Sequence, residues 1–186
     1  MSSEKPKKFE RFARFRASNK PYFMAVVAAV IVFMLVAPMT EKGNSMDPTV
    51  KKGDVVILQK KSYSENRGLP KYDDVLVFKV DFYEGEIRGE HRLGRVTGLP
   101  GDTIEINEGD VFRNGKKIKS EPFTKGETTG TVEPIEVGTN EVFVLCDNRE
   151  TAIDSRNEDV GTLELKAVRG KAMLILFPFA NFGSIK

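Results

Sequence analysis

The sequence predicts a mainly β chain, with one N-terminal transmembrane helix followed by an extracytoplasmic all-β domain of coiled, barrel-like antiparallel strands. Three observations predict it. Pro21 to Thr40 carries no charged residue. Beyond Thr40, short β-branched or aromatic runs recur, each bounded by Gly, Pro, Asn or Asp. Between two of them stands Asn114-Gly115, the dipeptide that supplies positive φ at both central positions of a tight hairpin turn.

In chain order, residues 1–20 form a basic cytoplasmic tail. Lys5, Lys7, Lys8, Arg11, Arg14, Arg16 and Lys20 outnumber Glu4 and Glu10, and Phe9, Phe12 and Phe15 lie among them at helical spacing. Such a tail is either solvated or an amphipathic segment lying on an anionic leaflet. Residues 21–40 form the anchor: about 20 residues at about 1.5 Å each reach the roughly 30 Å of a hydrocarbon core. A removable signal peptide competes with that reading. Its cleavage site needs small residues, and Val36-Ala37-Pro38-Met39 puts proline there, so the uncleaved anchor is favoured. The positive-inside rule then leaves the tail in the cytoplasm and residues 41–186 outside, on a single-pass protein of the cell membrane.

The outer domain supplies strand candidates at Val55–Leu58, Val75–Val80, Arg92–Thr97, Thr103–Ile106, Val111–Arg113, Glu141–Leu145 and Arg169–Phe177. Glu164–Val168 reads as one helical turn or a strand start. Ser62–Pro70 and Lys125–Thr131 read as exposed loops. The close spacing of short strands favours a closed or coiled β-architecture over a parallel sheet.

Composition excludes several classes. A formal net charge of +2 gives no reason to expect nucleic acid. The single cysteine, Cys146, cannot form an internal disulfide and lies in a buried-strand pattern as a small hydrophobe. No His and Cys stand at metal-ligand spacing, and the one histidine is His91.

Chemistry concentrates around Gly43-Asn44-Ser45-Met46-Asp47-Pro48-Thr49. A glycine lets the backbone turn and a proline fixes φ, so Ser45 is held in an irregular loop at the mouth of a groove. Downstream come Gly53-Asp54-Val55-Val56, Lys71 to Phe78, Arg95-Val96-Thr97-Gly98-Leu99-Pro100-Gly101-Asp102, and Asp147-Asn148-Arg149 with Asp154-Ser155-Arg156. In this order and spacing the blocks resemble the type I signal peptidases, membrane-anchored serine endopeptidases that cut leader peptides from exported proteins, in particular their Gram-positive members. The resemblance implies Ser45 as nucleophile with its own amide in the oxyanion hole, Met46 and Pro48 as loop-shaping residues beside the substrate, and no cofactor. It implies Asp147, Arg149, Asp154 and Arg156 as a set of structural ion pairs.

Two positions depart from the family pattern. A serine hydroxyl needs a base, and in this family a buried neutral lysine immediately precedes the Arg-Val block. That position is Gly94. The serine that orients the lysine is replaced by Ala152. On a regular strand Arg92 shares the face of Gly94, and His91, whose pKa would suit a base, lies on the other. His91 is thus a substitute base only if a bulge re-aims it, and Lys71 or Lys79 would have to fold back.

The resemblance therefore implies two functions. One is a signal peptidase, weak or inactive in hydrolysis, acting on exported preproteins. The other is a non-catalytic relative that binds an exported peptide or pilin and assists secretion or pilus assembly beside sortase machinery. Either works against membrane lipid and without nucleic acid.

Overall fold

The structure is a computed structural model that describes residues 20–60, 63, 66, 68–81, 88–119, 124–150 and 153–185. The basic tail up to Asn19 and the Ala152 position lie outside the described residues. The chain divides into two compact units, residues 1–36 and 37–186.

In the first unit, helix α1 (Lys20–Leu35) is 16 residues long, and its described large apolar side chains, from Tyr22 to Leu35, are exposed all round. Among the described residues no helix is long and apolar enough to cross a membrane. The expected 21–40 helix is cut short because Val36–Thr40 forms strand β1 instead. Pro38 explains the stop: it cannot donate to a helix, and it pushes Ala37 out of the α region.

The second unit is antiparallel β in every strand pair whose register is defined. Its strands after β1 are β2 (Val55–Lys60), β3 (Val75–Asp81), β4 (Arg88–Gly98), β5 (Thr103–Asn107), β6 (Asp110–Arg113), β7 (Lys116–Lys117), β8 (Val132–Glu136), β9 (Glu141–Leu145), β10 (Leu163–Glu164), β11 (Val168–Phe177) and β12 (Gly183–Ser184). The larger sheet runs β1-β2-β11-β3-β4-β9-β10, with β12 on β11, and the smaller runs β7-β6-β5-β8. The Asn114-Gly115 hairpin joins β6 to β7 with φ of 54° and 72°, as the dipeptide predicts. The 164–168 segment resolves into both alternatives: β10 ends at Glu164, and a 3-10 turn (Leu165–Ala167) leads into β11. Tyr63, expected in an exposed loop, is buried, and burial followed by the Asp74 charge pushes its phenol up to about 12.

Period-two alternation sorts β3 and β4 onto two cores. Val75, Val77 and Leu93 pack with Met46, Val50, Val56 and Cys146. Leu76, Phe78, Val96 and Val144 form a second cluster, and Ile104, Ile106 and Phe143 anchor a third. A long β4 serves both sides: Val75–Asp81 pairs along Arg88–Arg95, while β9 pairs only from Arg95 onward. The outer edge of Gly89–Leu93 therefore has no strand partner among the described residues. Although three strands separate them in the sheet, β1 and β4 line one cavity of about 770 Å³ between Met39–Gly43 and Gly89–Arg92. The sheet curls to bring these two edges face to face.

Candidate active site

Ser45 is buried in a loop that two neighbouring segments hold. Asn148 donates its amide to Ser45 O at 2.9 Å and its side-chain Nδ2 to Asn44 O at 3.0 Å. Inside the loop, the Val50 amide donates to Met46 O at 2.9 Å, the Asp47–Pro48 peptide is cis, and Met46 is completely buried in the first cluster. Among the described residues the Ser45 amide donates to no protein acceptor.

The loop is tied to β4 and β9 by a buried ion pair absent from the sequence-based set. Arg95 grips both Asp147 oxygens, with Nε to Oδ1 at 2.8 Å and Nη2 to Oδ2 at 2.7 Å, and donates through Nη1 to Asp73 O at 2.9 Å. Thr49 donates its hydroxyl to the same carboxylate. A second bidentate pair joins Arg156 to Asp154 at 2.9 Å on both oxygens, and Asp154 also accepts the Cys146 amide at 2.9 Å. The expected four-residue ion-pair set therefore needs correction. Arg149 joins no carboxylate among the described residues; it donates to Cys146 O at 2.9 Å and to Thr128 Oγ1 at 3.1 Å. Burial pulls its guanidinium pKa below the ordinary value despite the nearby Asp154 charge. The signal for Arg95 was in the sequence: it is the one charge in Leu93–Gly98, an otherwise uncharged strand segment.

Gly94 pairs with Leu76 in mid-strand and is buried. A Cβ placed there would lie 3.0 Å from Phe78 Cε1, 3.1 Å from Val144 Cγ2 and 3.2 Å from Val144 Cβ. Both neighbours belong to the second cluster, whereas Leu93 packs with Met46 and Cys146 beside Ser45. A side chain at 94 thus meets a tight contact, and Phe78 and Val144 must give by a few tenths of an ångström to admit it. Cys146 is completely buried, its thiol donating toward Leu93 O at 3.5 Å. Burial, with the Asp154 charge next, pushes the thiol pKa far above the ordinary range, so it stays protonated. His91 is exposed, lines the cavity between β1 and β4, and makes no hydrogen bond among the described residues.

Sequence reasoning missed Glu41. It is buried, its Oε1 accepts the Gly43 amide at 2.9 Å, and desolvation raises its pKa even against the Arg92 charge. Arg92 reaches Glu90 at 3.5 Å, while its buried Nε has no acceptor among the described residues. A charged residue directly after a long apolar run was the available signal for Glu41.

Comparison with known proteins supplies the family. Residues 16–177 match the family described as signal peptidase, peptidase S26. The chain belongs to this family. It is similar to a signal peptidase I of Bacillus licheniformis, 32% identical over 86% of this chain and 87% of that one. It is also similar to a signal peptidase I P of Bacillus subtilis subsp. natto, 30% identical over 95% and 98%. A probable signal peptidase I-1 of Synechocystis is 29% identical over 92% and 88%.

Proposed function

We propose that this signal peptidase family member holds an extended segment of an exported protein in the groove between β1 and β4, with little or no hydrolysis at Ser45. The observation that carries this reading is the side-chain-less, tightly packed position at Gly94. Phe78 and Val144 stand within 3.0 to 3.2 Å of where a side chain would begin, and no lysine or histidine hydrogen-bonds Ser45 among the described residues. A serine hydroxyl without a base is a poor nucleophile. The groove itself supports binding. Two strand edges face each other across it, and Arg92 Nε, without an acceptor among the described residues, is a donor that a carbonyl can meet.

The anchor belongs to the same proposal. A helix apolar on every face does not rest in water, and α1 spans about 24 Å at about 1.5 Å per residue, most of a hydrocarbon core of about 30 Å. Protease added outside intact cells should then remove the β unit and leave the N-terminus protected.

A working peptidase is the second reading. The Ser45 amide favours it, since among the described residues it has no acceptor and can meet an oxyanion. Purified full-length protein in detergent, given a preprotein with small residues before its cut, decides between the two. Retention of the preprotein with cleavage about 100 to 10,000 times slower than that of a lysine-containing relative is expected. Equal turnover overturns the proposal, as does failure to retain the preprotein. Exported pilins, and a sortase or pilus assembly partner, are the binding candidates that this reading admits.

A further inference from the structure

The Arg92 guanidinium makes no hydrogen bond among the described residues. Its side chain is only 20% exposed, Nη2 stands 3.5 Å from Glu90, and the buried Nε meets no acceptor there. Burying a donor without an acceptor costs free energy, and an acceptor brought by a ligand recovers it. The same cavity holds an acceptor with spare capacity. Glu41 is buried and gives one oxygen to the Gly43 amide at 2.9 Å, while no donor among the described residues reaches its other oxygen. Both residues line the space of about 770 Å³ between Met39–Gly43 and Gly89–Arg92.

Charge in this cavity is balanced, with Glu41 and Glu90 against Lys42 and Arg92, and His91 beside them. An ionic ligand gains little there, whereas a neutral group that both donates and accepts completes Arg92 and Glu41 together. The main chain of an extended segment is such a group, since each residue other than proline carries one N–H and one C=O. We infer that Arg92 and Glu41 are positioning residues of the groove, Arg92 Nε donating to a main-chain carbonyl of the held segment and the second Glu41 oxygen accepting a main-chain amide. The two act beside the outer edge of Gly89–Leu93, which lacks a strand partner among the described residues, and add side-chain bonds to those that a strand edge offers. They read the backbone, so segments of many sequences fit. This inference rests on the peptide-holding reading above.

The test uses full-length protein in detergent and a short blocked peptide, uncharged and with small residues before its cut. A companion series replaces one amide at a time by an ester, which removes an N–H and weakens the adjoining carbonyl as an acceptor. Arg92→Lys keeps the charge beside Glu41 and Glu90 but loses Nε. It should weaken the parent peptide about tenfold, as loss of a hydrogen bond to a charged group does, and erase the ester effect at one position only. Glu41→Gln keeps an oxygen for the Gly43 amide and turns an amino group toward the cavity. It should weaken binding similarly and erase the ester effect at a different position. Without peptide, both variants should melt no lower than wild type at pH 7 to 8, which merely structural residues would not allow. Affinity should hold level as salt rises from about 50 to 500 mM, because the bound group is neutral. An unchanged affinity and ester profile in Arg92→Lys, or a loss of stability that accompanies the loss of binding, overturns the inference and leaves the groove reading intact. Affinity that collapses with salt would give Arg92 a charged side chain as its partner and also overturn the inference. A wild-type protein that binds none of these peptides overturns both.

Discussion

Arg95 and Asp147 meet as a two-pronged pair, Nε to Oδ1 at 2.8 Å and Nη2 to Oδ2 at 2.7 Å, with side-chain exposures of only 4% and 1%. The pair fixes β4 against the end of β9, and Thr49 brings the Ser45 loop onto the same carboxylate. Removing one partner leaves an uncompensated buried charge, so Arg95→Met or Asp147→Asn should each destabilise the β unit by about 3–5 kcal/mol. Arg95→Lys should recover little of this, because an ammonium cannot reproduce the fork. Arg95→Met with Asp147→Asn should cost less than the two single changes added, as coupled sites do. Denaturant midpoints measure all four. Additive losses would show that the two residues act independently.

Glu41 gives a pH dependence of defined sign. Desolvation raises its folded-state pKa, so its contribution to stability is full below its unfolded value and declines as pH rises through the folded one. Glu41→Gln keeps an oxygen for the Gly43 amide and removes the buried charge. The variant should melt above wild type at pH 7 to 8 and converge with it below about pH 4, where an ordinary glutamate is protonated. A variant less stable at neutral pH would mean that the Arg92 attraction outweighs desolvation.

Cys146 should behave as a reporter of unfolding. Its thiol is buried and protonated, and only the thiolate is nucleophilic. Alkylation by iodoacetamide at pH 8 should be negligible in the native protein and should rise along the denaturation curve. Rapid native labelling would show that the Ser45 loop opens without global unfolding.

What the sequence revealed was mostly what short-range patterns encode. Strand β9 and the Asn114-Gly115 turn follow from β-branched runs and positive-φ residues, which act locally. The end of α1 is not legible from apolar character, because apolar residues suit a helix and a strand alike, and Pro38 breaks a helix where the apolar run continues. At the site, Ser45, Gly94 and His91 were legible as positions, but their surroundings were not. Which face of β4 meets the Ser45 loop depends on how β3, β4 and β9 stack. Arg95, outside the expected ion-pair set, therefore partners Asp147, and Leu93 packs beside Met46 and Cys146. Such contacts join residues some 50 to 100 positions apart, beyond the reach of any periodicity.

The tight packing at Gly94 predicts how a lysine rescue should behave. Gly94→Lys with Ala152→Ser restores the residue types of the family dyad, yet the lysine stem must enter where Phe78 Cε1 lies 3.0 Å and Val144 Cγ2 3.1 Å from the new Cβ. Overpacking of this kind typically costs about 1–3 kcal/mol. The double variant should therefore melt below wild type, and most of its lysine amines should be held off Ser45. Adding Val144→Ala removes both Val144 methyl groups from the path of the stem. The triple variant should recover part of the lost stability and show preprotein cleavage that Ser45→Ala abolishes. Gly94→Lys alone should recover less, since an unoriented amine in an apolar site leaves its donors unpaired. Cleavage and melting temperature must be read together. A triple variant that melts like wild type and still cleaves nothing would mean that the groove holds its segment away from Ser45, and that a missing base is not the only barrier to hydrolysis.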